Sequence, residues 1–320
     1  MKKVYLLAII CIAFISCSKD DTSESIQSSK KNEVFNFSSY EKMDEKIDQI
    51  SLTKDKMEES TARKHTSKNI ITDKSSNSGD LILNDLKKYH TDRLNDIYSL
   101  RKDLNFISIQ SIADEINSLK LLNPIKSEEL SKEYEKFLIK SEFGVITIFD
   151  NRTANVINEK GEVLIDGQII DLKISDQKKI TGRYLYDEAV RIDRAVRSED
   201  MRFVIIYTAG REKHKDTFGK VFFRYFTEFN AYYTNPESNG AILCPTTFTM
   251  SNNSIAGFSQ SGDNPFAEFA FSIQYPSGNG STLRNTSGQK WTAYQTEGGY
   301  LKGSFVGAGY LLTCDFRYTK

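Results

Sequence analysis

Aromatic side chains set beside hydrogen-bonding ones are the most chemically suggestive feature of this 320-residue chain. Tyr232, Trp291, Tyr294 and Tyr300 fall near strand ends or turns, and Arg224 and Glu228 alternate with the aromatics of one long segment. An exposed ring stacks on a sugar, and a neighbouring guanidinium or carboxylate hydrogen-bonds the sugar hydroxyls. These six residues are therefore the candidate ligand-binding set. The competing reading places the rings inside a sheet core or in cross-strand pairs. Glu228 and Glu268 lie on the polar faces of strand-like segments, and two carboxyls about 5–10 Å apart can hydrolyse a glycosidic bond. With 43 acidic residues such a pair arises cheaply by chance, so no catalytic residue is assigned. Gly257-Phe258-Ser259-Gln260-Ser261-Gly262 misses the Gly-x-Ser-x-Gly elbow by one residue and reads as loop. Arg191, Arg194 and Arg197 recur at every third position, with Arg183 and Arg202 flanking, as an anion site would require. Asp187, Glu188, Asp193, Glu199 and Asp200 interleave with them, which instead favours a solvated, salt-bridged segment.

Metal chemistry has little to work with. His65, His90 and His214 are the three histidines; none has a second ligand at standard spacing, and no His-Glu-x-x-His is present. No metal and no cofactor is expected. His90 reads as packing beside a helical stripe, and His65 and His214 as solvated members of Lys/Arg-rich runs. Cys244 and Cys314 form one even pair, a candidate disulfide if the chain is exported. Closing a loop of about 70 residues contributes roughly 4 kcal/mol in the entropy model. The alternative is two buried free thiols, since Cys314 shares a strand face with Leu312, Phe316 and Tyr318.

The elements that must position these groups follow from periodicity. Ser38 and Glu41 fit a capping box, and Tyr40, Met43, Ile47 and Ile50 then line one helix face. Residues 60–79 are polar and read as a spacer. A stronger helix runs over 80–104, with Leu83, Leu86, His90, Leu94, Ile97 and Leu104 on one side. Ser111 opens a further helix that Asn123-Pro124 stops, and Ser127 caps the next. The period then becomes two. Residues 144–149 read as a buried strand, 156–165 as a hairpin, and Asp166-Gly167 as a primed two-residue turn into another strand over 168–174. Strands are expected at 203–208, 221–233, 266–275, 290–296, 300–306 and 310–318, separated by Gly, Asn and Ser turns.

Composition divides the chain near residue 180. Residues 181–320 hold 25 of 37 aromatics and 14 of 18 glycines but 28 of 86 charged residues. The expected fold class is therefore α+β: N-terminal helices with a small β meander over 35–180, then a C-terminal antiparallel β-sandwich or barrel over 181–320. The 43 basic and 43 acidic residues cancel, which argues against a nucleic-acid partner, and a mean hydropathy of −0.46 excludes a polytopic membrane protein.

The N-terminus carries the most specific motif. Lys2 and Lys3 precede an apolar run over 4–15, too short to span a bilayer and suited to a signal peptide. The run ends Phe14-Ile15-Ser16-Cys17, which resembles the lipobox of bacterial lipoproteins. Lys19-Asp20-Asp21 follows, and resembles the surface-export signal of Bacteroidota lipoproteins. The resemblance implies cleavage after residue 16, acylation of Cys17, a flexible tether over 17–34, and residence at the outer membrane, held by lipid and facing the cell exterior. The helices-then-meander order resembles an uncharacterised Bacteroidota lipoprotein family. Its opening Phe-x-Ser-x-x-Glu helix motif falls at Phe37, Ser39 and Lys42, so that its Glu is replaced or shifted to Glu41, and its hairpin motif falls at Asn158, Gly161, Glu162 and Val163. That family implies no activity. The reading that follows is a non-enzymatic module for an extracellular glycan or a protein partner. A structural envelope lipoprotein without a small ligand and a carbohydrate-active hydrolase are the alternatives.

Overall fold

Ser39 starts the first helix. Its backbone is extended and its side-chain oxygen accepts the Lys42 N–H at 3.3 Å. The cap lies one residue beyond the expected Ser38, which is used in the bend that follows a short strand ending at Phe37. The structure, a computed structural model, describes residues 34–66, 78–141, 143–149, 152–172, 179–181, 184–186, 192–215, 220–234, 240–259 and 269–319. Cys17, Lys19, Asp20 and Asp21 lie outside them, as do Glu268, residues 260–262, Arg183 and Arg191.

In chain order the elements are β1 (Asn36–Phe37), α1 (Tyr40–His65), α2 (Ser78–Leu104), α3 (Ile109–Leu122) and α4 (Pro124–Glu133). Then come β2 (Leu138–Ser141), β3 (Gly144–Thr147), β4 (Leu164–Ile165), β5 (Gln168–Ile169), β6 (Lys179–Thr181), β7 (Tyr184–Tyr186) and β8 (Ile192–Arg197). The remainder is β9 (Phe203–Lys215), β10 (Val221–Thr234), β11 (Ala241–Leu243), β12 (Thr246–Met250), β13 (Ile255–Ser259), β14 (Phe271–Gln274), β15 (Gly278–Gly280), β16 (Thr282–Thr286), β17 (Gln295–Gly307) and β18 (Tyr310–Thr319). The chain is mixed α+β, with helices first and antiparallel strands predominating after them, as expected.

Several boundaries move for identifiable reasons. α1 continues past the expected spacer start at residue 60. There Thr61 is buried with its hydroxyl donating to Asp96 at 2.6 Å, and His65 bonds Asp92 at 2.9 Å, so pairing with α2 sustains the helix. α3 opens on Ser108, whose side chain accepts the Ser111 N–H, and Ser111 sits inside the first turn. Asn123 ends α3 and caps α4, so Pro124 occupies the first helical position, where its missing N–H costs nothing. Ser127 lies within α4 and donates to the Ile116 carbonyl at 2.9 Å. Asp166 and Gly167 have φ of 50° and 75°, the primed turn that the sequence signals.

Two large sheets dominate the C-terminal β part. One is ordered β11-β10-β9-β8, with β16 also pairing β10; the other is β14-β13-β17-β12-β15, with β18 pairing β17. They enclose a shared aromatic core in which Phe203, Tyr207 and Phe229 of the first sheet meet Phe248, Phe258 and Phe305 of the second. Phe229 lies 5.2 Å from Phe248 and 5.3 Å from Phe305, ring centre to ring centre. The strand expected over 290–296 is reduced to a single bridge between Lys290 and Phe223, and its last two residues, Gln295 and Thr296, join the stretch expected over 300–306 in β17. β17 is central because Gly298, at φ +152°, lets β18 approach; a Cβ there would stand 2.4 Å from the Tyr318 carbonyl oxygen. A second core, with Ile47, Ile112, Ile116, Phe149 and Val156, joins the helices to the small strands. α1, α2 and α3 lie against the outer face of the first sheet: Asp48 reaches Arg224, His90 bonds the Leu243 carbonyl, and Lys120 bonds the Ala241 carbonyl. β10 is thus buried on both faces.

Candidate functional site

Asp48, Ser51, Asp55 and Glu58 recur at spacings of three and four, so α1 presents them as one stripe. On β10 the outward alternation Phe222, Arg224, Phe226, Glu228, Asn230, Tyr232 faces the helices. β16 adds Thr282, Arg284 and Thr286, cross-strand from Asn230, Glu228 and Phe226. Where stripe and sheet meet, with α2 and α3 closing the far side, they line a cleft of about 400 Å³ in which charged groups stand beside apolar ones such as Ile50, Met57, Ile97 and Phe106.

Ion pairs knit its walls. Glu58 accepts the Tyr89 hydroxyl at 2.5 Å and the Ser281 N–H and hydroxyl at 2.9 and 2.8 Å, and faces Arg93 at 3.3 Å. Burial alone would raise the Glu58 carboxyl, but Arg93 and these donors hold it below its ordinary value. Lys54 bonds Asp114 at 2.8 Å and Asn155 at 3.1 Å. Asp114 is likewise held low: against the effect of burial stand Lys54, then Arg93. Arg152 pairs with Asp48, and Arg284 pairs with Glu212 and stands 3.5 Å from Glu228 while its guanidinium covers the Phe226 ring at 3.9 Å. Asp55 differs. It is open to solvent in the cleft yet walled by protein on its other sides, and that desolvation pushes its carboxyl up against the pull of Lys54, Arg152 and Arg284. Among the described residues no group of His, Cys, Asp and Glu is arranged to hold a metal.

The residues singled out from sequence disperse. Glu228 is buried, accepting Asn230 Nδ2 at 2.6 Å, and shares the helix-facing side of β10 with Arg224 and Tyr232. The Tyr232 ring is wholly buried, packed 4.9 Å from Phe143, so it offers no stacking face. Trp291 is 49% exposed, set edge-on to Phe222, with the Lys220 ammonium 4.3 Å above its ring. Tyr294 packs against Phe271 and Tyr225, half-buried. Tyr300 is in the other sheet and donates to Asp315 at 2.5 Å. The four aromatics form no common platform. Cys244 and Cys314 are both free, their thiols directed to the carbonyls of Pro245 and Gly303 respectively. Burial pushes the two thiols up to about 12 and about 11.

Of the candidates legible in sequence, Glu228 alone lines the cleft, with Arg224 outside it and 3.7 Å from Asp48; the cleft's other wall was missed. The stripe Asp48, Ser51, Asp55, Glu58 was legible as a second, polar face of α1 beside its apolar one. Only its pairing partners, all distant in sequence, were hidden.

No protein-family model matches the chain, and no curated protein matches it. Among solved structures it is similar to the crystal structure of a DUF4848 family protein from Bacteroides thetaiotaomicron. Sequence identity is 12% and the TM-score 0.27, over 88% of this chain and 96% of that one. So loose a likeness assigns neither fold nor activity.

Proposed function

We propose that this chain is a lipid-anchored lipoprotein of the Bacteroidota surface type, and that it is a binding module whose ligand enters the helix–sheet cleft. The observation that carries the binding reading is the cleft itself. It is open, and Glu58 and Asp114 are held ionised by fixed partners, while Thr282 and Thr286 set hydroxyls along one edge. Such fixed charges and hydroxyls, set among apolar side chains, suit a hydroxyl-rich ligand such as a glycan segment, whose rings also present apolar faces. Locked carboxylates give orientation and do not exchange protons near neutral pH. The anchor rests on the Lys2–Cys17 pattern and on Lys19-Asp20-Asp21.

The decisive experiment pairs a glycan array with a blocking variant. Thr286 is exposed at the cleft edge, so Thr286→Trp fills the opening without entering the core. Saccharide hits that vanish in Thr286→Trp at unchanged melting temperature support the reading; hits indifferent to it, or none, sink it. Cys17→Ala should release the chain from membranes, and persistence there would refute acylation at that residue. A hydrolase reading has one observation in its favour, the raised Asp55 carboxyl in the same cleft as Glu228. Release of reducing ends from an array hit, lost in Asp55→Asn, would favour it.

A further inference from the structure

Charge in the cleft is matched almost everywhere by fixed partners. Lys54 is held by Asp114, and Arg93 by Glu58 and Asp114. Arg101 pairs with Glu115 at 2.6 Å, Arg152 with Asp48, and Arg284 with Glu212 and Glu228. Asp96 accepts the Thr61 hydroxyl. Asp55 alone among the lining carboxylates makes no hydrogen bond and no ion pair, and it is open to solvent.

From this imbalance we infer that the cleft takes a small polyhydroxylated ligand carrying a protonated amine, an amino sugar or its chemical equivalent, with Asp55 accepting the ammonium. The inference rests on the binding reading above and names the ligand class for the same cleft. The cations nearest Asp55 are Lys54 on its own helix, Arg152 in the turn before Thr153–Asn155, and Arg284 on β16; Glu58 is the nearest other acid. Each of those three cations already has a carboxylate of its own, so none is available to close on Asp55. A ligand ammonium supplies the missing charge and hydrogen-bond donors together. The ligand's hydroxyls suit the Thr282 and Thr286 side chains on the β16 edge of the same lining. A bound cation would oppose, by its charge, the desolvation that lifts the Asp55 carboxyl, which adds to the preference for a charged amine.

The test measures binding of D-glucosamine, D-glucose and N-acetyl-D-glucosamine to the full chain by titration calorimetry, with wild type and Asp55→Asn. The three share one ring and differ at a single substituent. Wild type should prefer glucosamine by about tenfold, and Asp55→Asn should erase that preference with neutral sugars and melting temperature unchanged. Equal affinity for all three, or a preference that survives Asp55→Asn, overturns the assignment of Asp55 while the cleft reading stands. No binding of any of the three also overturns the assignment. The cleft reading then stands or falls on array hits sensitive to Thr286→Trp.

Discussion

Glu58→Gln probes the joint on which the cleft depends. One Glu58 oxygen takes three donors, from Tyr89 on α2 and from the N–H and hydroxyl of Ser281 beside β16, and the other oxygen faces Arg93. α1, α2 and the first sheet are thus tied at one carboxylate. Glutamine can still accept at the first oxygen, but its amide N–H would confront Arg93 Nε. Breaking a buried ion pair costs about 3–5 kcal/mol. The Glu58 side chain keeps 19% exposure toward the cleft, and Arg93 retains Ser118 at 2.9 Å and Asp114 at 3.6 Å, so solvent screening discounts the cost to about 2–3 kcal/mol. At about 2 °C per kcal/mol for a body of this size, the melting temperature should fall by about 4–6 °C. The pH dependence fixes the cause. Because the folded Glu58 carboxyl lies below its ordinary value of 4.5, its contribution is fully present above that value and is lost as pH falls through the folded one. The gap between wild type and Glu58→Gln, read by thermal melts from pH 7 downward, should therefore close below about pH 4.5. A gap that is absent at pH 7, or equally large in acid, would refute the reasoning.

Other outcomes follow from the same geometry. Gly298→Ala should destabilise by more than about 1 kcal/mol, measured by urea unfolding, since φ +152° and the Tyr318 carbonyl both oppose a Cβ; a neutral result would mean β17 and β18 are not packed as described. Cys244 and Cys314, buried with raised thiols, should resist alkylation in native protein and label in denaturant under non-reducing conditions; native-state labelling, or a disulfide by mass, would contradict their placement. Burial, reinforced by Arg93, pulls His90 down to about 3, so its ring proton shifts should stay flat between pH 4 and 8. Because unfolding frees His90 to take a proton, it withdraws stability as pH falls below 6.5; a native titration midpoint near 6.5 would contradict its burial.

The order of elements was readable because each rests on local periodicity: the apolar stripe of α1, the alternation of β10, the Asp166-Gly167 turn. Boundaries were misjudged where a distant partner decides them. Thr61 and His65 extend α1 only because α2 supplies Asp96 and Asp92. The alternation of β10 was legible, but not that its polar-looking face is covered, because Glu228 and Asn230 are solvated in a two-layer sandwich and buried only when helices add a third layer. For the same reason Tyr232, a plausible surface ring by sequence, is interior. The cleft could not be read in advance, since its walls come from segments more than 200 residues apart, as in the Glu58–Ser281 contact.

The central claim is that the ligand sits between α1 and β16. Hydrogen–deuterium exchange of the full chain, with and without its tightest-binding saccharide, tests it most directly. New protection is expected over residues 48–58 and 282–286, abolished by Thr286→Trp. Protection confined to the surroundings of Trp291 or Tyr300, or none in either place, would contradict it.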